Sequence, residues 1–213
     1  MRIIGIDPGL TRCGIGIIDM DSTRQAHLVH VEVARSAQNM AAHFRLDRIR
    51  RHIAAAIERF EPEVMSVERV FAQDNVQSVT STMWVMGIAM SEAAAHKLPL
   101  AIHTPSEVKA AVTGSGIAGK AQVQAMVQRI LKMDKVVRPA DAADALAIAI
   151  CHGWRGDGLQ GASRDGTVNV SLSGKISARG ELTNAQKLWA QAQAATRRTG
   201  AVDPRRRKQK ASK

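Results

Sequence analysis

The stretch RIIGIDPGLTRCGIGII, residues 2–18, carries a strand–turn–strand pattern. Its first part, residues 2–7, is a short apolar run closed by a Pro-Gly pair, a pattern that predicts a buried strand followed by a turn. A second strand is predicted over residues 12–19, directly after the turn. A third is predicted over residues 27–34, where valines alternate with polar residues as in a half-buried strand. The chain therefore opens with three consecutive strands.

The residues that follow alternate between helical and strand patterns. Residues 41–60 carry apolar side chains at steps of three and four, which mark one face of a helix. Further strands are predicted over residues 64–68 and 98–103, and further helices over residues 75–96, 106–112, 120–131 and 140–154. Three strands followed by helix–strand alternation predict an α/β fold with a mixed five-stranded sheet flanked by helices.

The net charge of +11 is unevenly distributed along the chain. Residues 151–213 contain 13 Lys and Arg against 4 Asp and Glu, whereas residues 1–150 are nearly neutral. From about residue 156 the composition shifts to Gly, Ser, Arg and Asp, interrupted by a predicted helix over residues 183–196. We therefore predict a folded domain over residues 1–155 and a basic, partly flexible extension over residues 156–213. Such an extension raises non-specific DNA affinity without identifying any chemistry.

Cysteine content and hydropathy limit the class of protein. Cys13 and Cys151 are too few for a disulfide framework and suit a reducing cytosol. No charge-free apolar stretch approaches the roughly 20 residues that a membrane helix needs. Asp7, Pro8 and Arg12 interrupt the apolar opening that a secretory signal would require. We therefore expect a cytoplasmic protein with no membrane-spanning segment.

Four acidic residues lie at unusual positions of the predicted fold. Asp7 and Glu68 each end an apolar strand, and Asp141 and Asp144 lie near the start of an apolar helix. Strand ends on one edge of a sheet converge, and helix residues three apart share a face. Four carboxylates that meet repel one another unless cations neutralise them, and oxygen-only ligands favour Mg²⁺ or Mn²⁺ over zinc. Two such ions can activate a water and stabilise the leaving oxygen of a phosphodiester.

Each of these acids also has a structural interpretation. Asp7 can simply start the turn that follows it, and Glu68 can form a surface ion pair. Asp141 suits a helix start, where the helix dipole favours a carboxylate. Asp144 is harder to explain in this way, because it lies within AADALAIAI, where an unpartnered buried acid is costly. The four together favour a metal-dependent site more than any one of them does.

Four stretches in the first 152 residues match a known family in the family's own order. They are GIDPGLTRCGIGII (5–18), VERVFAQDN (67–75), the segment from LAIHTPSEVK (100–109) to GKAQVQAMV (119–127), and PADAADALAIAICH (139–152). The opening and the last stretch are each fairly specific, and the combination is highly so. The chain resembles the RuvC family of bacterial Holliday junction resolvases.

The resemblance implies a ribonuclease H-like fold and a homodimer that nicks opposing strands of four-way junction DNA. It implies Mg²⁺ as the cofactor, with Mn²⁺ as a substitute and two ions per site, and RuvA and RuvB as branch-migration partners. Some family members carry histidine at the position of Asp141. By the resemblance, the site residues are the catalytic, metal-binding Asp7, Glu68, Asp141 and Asp144, an aromatic Phe71 for the opened junction centre, and Lys109 and Lys120 for DNA phosphates.

Three of these residues have other interpretations, and the chain departs from the family in two places. Phe71 can be a core ring, and Lys109 can be a solvated helix charge. Lys120 opens a predicted helix, where its charge opposes the dipole and favours an anionic partner. Trp84 stands where the family carries glutamine, in a helix that the resemblance assigns to dimer contacts. The other departure is the extension from about residue 156, whose role stays open between non-specific DNA binding, partner contact and disorder.

Two competing functions remain open at the level of the sequence. GIDPGLT is similar to the first phosphate loop of actin-like ATPases, and residues 114–120 (GSGIAGK) fit a P-loop pattern. Against this, Ala121 stands where a P-loop needs Ser or Thr, no clear strand precedes the loop, and the chain is too short for a second actin-like domain. A non-catalytic basic DNA-binding protein would explain the charge and leave the four carboxylates unexplained.

Overall fold

The computed structural model describes residues 1–70, 76–135 and 137–156, with only the backbone described for residues 76–78. Five strands form one mixed sheet in the order β3-β2-β1-β4-β5. Strands β1 and β2 pair antiparallel, as do β2 and β3, whereas β4 pairs parallel with both β1 and β5. The strands are β1 Arg2–Asp7, β2 Arg12–Met20, β3 Ala26–Arg35, β4 Val64–Glu68 and β5 Leu100–His103.

Five helices cover the two faces of this sheet. One face carries two of them, packed over a core that includes Ile4, Ile15 and Ile53. The opposite face carries the other three, over a core that includes Ile3, Ile18 and Leu146. The first pair is α1 Ala42–Phe60 and α2 Val76–Ala95, and the other three are α3 Pro105–Thr113, α4 Lys120–Ile130 and α5 Ala140–Arg155.

The mixed five-stranded sheet and its flanking helices confirm the predicted fold class. Five element starts, those of β3, α1, α2, β5 and α3, differ from the prediction by one or two residues, and two of these differences have a clear local cause. Strand β5 begins at Leu100 instead of residue 98, because Pro99 has no backbone N–H for a ladder hydrogen bond. Helix α3 begins at Pro105, since Thr104 caps it and proline suits the first helical turn.

Helix α5 lies unusually close to the sheet because three glycines stand beneath it. A β-carbon at Gly5 would overlap the backbone oxygen of Ala145, and one at Gly14 would overlap the backbone oxygen of Asp141. At Gly16 a β-carbon would lie 2.8 Å from the backbone nitrogen of Leu146. The glycines of β1 and β2 therefore set how closely α5 approaches the strands, and this approach fixes the position of the acidic helix start.

Two other predictions concern the remainder of the chain. Within the described ranges, no helix has both the length and the apolar character needed to cross a membrane. The basic extension at 156–213 and its helix at 183–196 lie, apart from Gly156, outside the described residues and stay predictions.

Candidate active site

Two of the four predicted carboxylates come from neighbouring strand ends. Strands β1 and β4 run parallel with Ile6 opposite Val67, so the next residues, Asp7 and Glu68, end side by side at one edge of the sheet. Both side chains line a single cleft. Parallel pairing of two apolar strands that each end in an acid thus places two carboxylates together.

The other two carboxylates come from the first turns of α5. Asp141 and Asp144 lie three residues apart and line the same cleft as Asp7 and Glu68. Their position depends on the close approach of α5 to β2, where the Asp141 backbone rests on Gly14. The structure therefore brings all four predicted acids together from three separate elements.

Three basic side chains also line the cleft. Arg12 Nε lies 3.0 Å from a carboxylate oxygen of Asp141, and Lys120 Nζ lies 3.8 Å from one of Asp144. Lys109 of α3 joins them in the lining. Lys109 and Lys120, which the resemblance assigns to DNA phosphates, thus line the same cleft as the acids, and their contact with DNA stays a prediction.

Burial and mutual repulsion destabilise the charged forms of Asp7, Glu68 and Asp144. The pKa of Asp7 rises to about 8, first because it is buried and then because Glu68 and Asp144 repel its charge. Burial, followed by repulsion from Asp144, raises the pKa of Glu68 to about 7, and the two lysines oppose this rise. Burial likewise raises the pKa of Asp144, against the attraction of Lys120. The cleft therefore gains stability when positive charge enters it.

The donor set fits a hard divalent cation. It contains only carboxylate oxygens, which Mg²⁺ and Mn²⁺ prefer, and a cation would remove the repulsion that raises these pKa values. In the part of the chain that is described, no three His, Cys, Asp or Glu side chains form a closed group ready to hold one ion. Asp141 and Asp144 are instead turned toward Arg12 and Lys120.

One site residue was missed by the sequence analysis, and one predicted residue lies outside the description. Arg12 received no role, although it begins the strand next to Asp7 at the edge where the acids meet. Antiparallel pairing of the first two predicted strands brings the start of the second strand next to the end of the first. The position of Arg12 beside Asp7 could therefore have been predicted from the sequence. Phe71 falls outside the described residues, and its contact with the junction centre stays a prediction.

The structure also bears on the P-loop interpretation of residues 114–120. A P-loop connects a strand to a helix, and its backbone N–H groups surround phosphates. Here helix α3 ends at Thr113 directly before the loop, and Lys120 opens α4 toward the carboxylate cleft. The strand that this nucleotide-binding motif requires is therefore replaced by a helix.

Comparison with known proteins gives one consistent family. The family model for the crossover junction endodeoxyribonuclease RuvC matches residues 3–152. A protein of that name from Leifsonia xyli subsp. xyli is 48% identical over 206 residues, which cover 97% of this chain and 98% of the relative. One from Nocardioides sp. is 53% identical over 156 residues, covering 73% of this chain and 88% of the relative.

Solved structures agree with the sequence comparisons. The structure of Thermus thermophilus RuvC superimposes with a TM-score of 0.67 at 33% identity, covering 72% of this chain and 94% of that one. The same protein in complex with a Holliday junction substrate gives a TM-score of 0.68 at 34% identity, covering 71% and 92%. The residues matched by the family model, 3–152, include all four carboxylates of the cleft. This chain therefore belongs to the RuvC family of crossover junction endodeoxyribonucleases.

Proposed function

We propose that this protein is a Holliday junction resolvase that nicks four-way junction DNA with the help of divalent cations. The observation that carries the proposal is the single cleft in which Asp7, Glu68, Asp141 and Asp144 meet beside basic side chains. Membership of the RuvC family and the likeness to a relative solved with a junction substrate support it. Paired nicks in strands of like polarity would serve homologous recombination and DNA repair.

The cofactor proposed is Mg²⁺, with Mn²⁺ as a substitute and two ions per site. Asp7, Glu68, Asp141 and Asp144 would hold the ions. Bound ions of this kind lower the pKa of a water and stabilise the leaving oxygen of a phosphodiester. Asp7 and Glu68 end buried strands and so offer fixed oxygens, whereas Asp141 and Asp144 must first release Arg12 and Lys120.

The basic side chains around the cleft would then bind the DNA. Lys109 and Lys120 line the cleft beside Glu68 and Asp144, so their ammonium groups can contact phosphates next to the scissile bond. Arg12, more than half exposed, can do the same from the β2 side. We propose that Phe71, in the segment that follows Glu68, contacts bases at the opened junction centre.

We further propose that the protein acts as a homodimer through helix α2. This helix buries Val85 and Ala89 but exposes an apolar face formed by Met83, Trp84 and Met90. Trp84 is 47% exposed and Met83 57% exposed, which is costly for a surface that always faces water. A second copy of α2 would cover this face, and two-fold pairing would present two clefts to a nearly two-fold symmetric junction.

Trp84→Glu is expected to separate the dimer, because it places a charge at the centre of the proposed apolar contact. Loss of a central aromatic typically costs at least about 2 kcal/mol, so the dimer dissociation constant should rise about 30-fold or more. Sedimentation velocity across a concentration series measures this constant. Ala55→Glu adds the same charge to an exposed position of α1 and serves as the control. A Trp84→Glu protein that dimerises as tightly as the control would contradict the α2 interface.

The remaining parts of the proposal follow from the substrate. RuvA and RuvB are proposed as partners because branch migration delivers the four-way junctions that a resolvase cuts. We propose a cytoplasmic location, because junctions in bacterial chromosomal DNA are the proposed substrate. We assign cleavage to the domain at residues 1–155, which contains every described residue of the cleft, and non-specific DNA affinity to the basic extension at 156–213.

Metal dependence can be measured with a labelled four-way junction. We expect cleavage in Mg²⁺ or Mn²⁺, none in EDTA, and junction binding that persists in EDTA, because the basic side chains do not need the ions. Addition of excess Mg²⁺ to the EDTA reaction should restore cleavage. Binding without cleavage in either ion would instead support the non-catalytic DNA-binding function.

A further inference from the structure

Three arginines at one end of the sheet have no acidic partner among the residues that the structure describes. Arg45 donates to the hydroxyl oxygens of Ser36 and Thr11 at 2.9 and 2.8 Å, and Arg48 donates to the backbone oxygen of Arg35 at 2.7 Å. Across the described residues, no carboxylate lies within ion-pair distance of Arg35, Arg45 or Arg48. We refer to Arg35, Arg45 and Arg48 as the α1 arginine surface.

Nearby arginines of the same helix behave differently. Arg50 and Arg51 both form ion pairs with Asp47, at 3.3 and 3.0 Å. Their charge is thereby largely compensated, as is usual for arginines on an exposed helix face. Among the described residues, the arginines of α1 without an ion pair are therefore Arg45 and Arg48 in its first turns, next to the end of β3, and Arg59 in its last turn, which lies over the Phe60 ring.

The α1 arginine surface is continuous with the rim of the cleft. Arg35 is the register partner of Arg12 in the antiparallel β2–β3 pair, and antiparallel partners lie side by side on one face. Thr11, which accepts from Arg45, directly precedes Arg12, and its backbone oxygen accepts from the Ser36 N–H. A row of positive charge thus runs from the cleft, around the ends of β2 and β3, to α1.

Holding these arginines together without acids costs free energy in the free protein, because like charges repel. Their hydrogen bonds go to neutral oxygens, which fix the side chains of Arg45 and Arg48 and leave their full charge and remaining N–H donors available. Guanidinium groups fixed in this way are suited to phosphate, which they can bind with two parallel hydrogen bonds. The row of charge is suited to a polyanion that extends away from the cleft.

We propose that the α1 arginine surface binds the phosphate backbone of a junction arm that leaves the active site. This inference rests on the proposed function, since the arm belongs to the same DNA whose scissile phosphate enters the cleft. It adds a contact on the β2 side, whereas Lys109 and Lys120 reach the cleft from α3 and α4. Because the contact is to phosphates, it stabilises binding without selecting a base sequence.

The test is the salt dependence of junction binding in EDTA, measured by fluorescence anisotropy on the full chain. Log K falls as log salt rises, and the steepness of this slope decreases by about one for each phosphate contact that is lost. Arg35→Gln/Arg48→Gln should therefore decrease the steepness by about two. The control, Arg24→Gln/Arg59→Gln, removes the same charge from exposed positions at the opposite end of the sheet. We expect its slope to equal that of the wild type.

Two further variants separate phosphate binding from a structural role. Arg35→Lys/Arg48→Lys keeps the charges but loses the forked geometry, so it should restore most of the slope. If the double glutamine variant melts below the wild type, Arg35→Gln alone replaces it, because it leaves the hydrogen bond from Arg48 to the Arg35 backbone intact, with an expected slope change of about one. A slope equal to that of the wild type in the glutamine variants overturns this inference while leaving junction cleavage, and so the proposed function, intact. If the wild type neither binds nor cuts the junction, the proposed function itself fails.

Discussion

Asp7→Asn is expected to remove junction cleavage, by on the order of 10³-fold or more, while junction binding is retained. Asp7 ends β1 at the centre of the cleft, where it is repelled by Glu68 and Asp144. The amide has the same shape but neither the charge nor the second oxygen acceptor that a divalent cation requires. Basic side chains around the cleft, which bind the DNA, are unchanged. Single-turnover cleavage and anisotropy on the same junction measure the two properties separately.

The stability of the Asp7→Asn protein provides the control for this result. The pKa of Asp7 is raised to about 8, so its ionised form is disfavoured in the folded protein. The folded protein is stabilised while Asp7 is protonated, and this stabilisation is lost as the pH rises through about 8. The amide of Asn carries no charge at any of these pH values. At pH 9 in EDTA we therefore expect the variant to melt no lower than the wild type. Cleavage by this variant at the rate of the wild type would contradict the proposed metal-binding role of Asp7.

Gly14→Ala is expected to destabilise the protein by about 2–3 kcal/mol and to lower its melting temperature on the order of 5–10 °C. Its β-carbon would overlap the backbone oxygen of Asp141, so α5 has to move away from the sheet. That movement would also shift Asp141 and Asp144 relative to Asp7, and we expect cleavage by the remaining folded protein to fall as well.

A matched substitution shows whether this effect comes from the close packing of α5. At Gly119 a β-carbon would meet no atom within 4 Å, and the backbone there is in an extended conformation that alanine adopts freely. Gly119 is the N-cap of α4, where alanine is less favourable than glycine by up to about 1 kcal/mol, so Gly119→Ala should melt closer to the wild type than Gly14→Ala does. Equal melting temperatures for Gly14→Ala and Gly119→Ala would mean that the contact between β2 and α5 does not control the fold.

Much of the fold was predictable because its signals are local. Apolar runs ending in Asp7 and Glu68 gave two strand ends, and the period of residues 41–60 gave a helix. The placement of four acids in one cleft also followed, since neighbouring parallel strands end at the same edge of a sheet. Their roles in metal binding and catalysis remain proposals that the variants above test.

Other features depend on contacts between distant residues that no local pattern encodes. The packing of Gly14 against Asp141 joins residues far apart in the chain, so the three glycines looked like ordinary strand residues in the sequence. The pairing of Arg12 with Asp141 depends on that same packing. Likewise, the hydrogen bonds from Arg45 to Thr11 and Ser36 require α1 to lie across the end of β2.

Mapping the nicks on a four-way junction shows whether the carboxylate cleft cuts such junctions specifically. Each strand of the junction is labelled in turn and compared with a linear duplex of the same sequence, in Mg²⁺. We predict paired nicks at symmetric positions in two strands of like polarity, and an intact duplex. Equal cutting of junction and duplex, or nicks confined to one strand, would contradict paired, junction-specific cleavage by this protein.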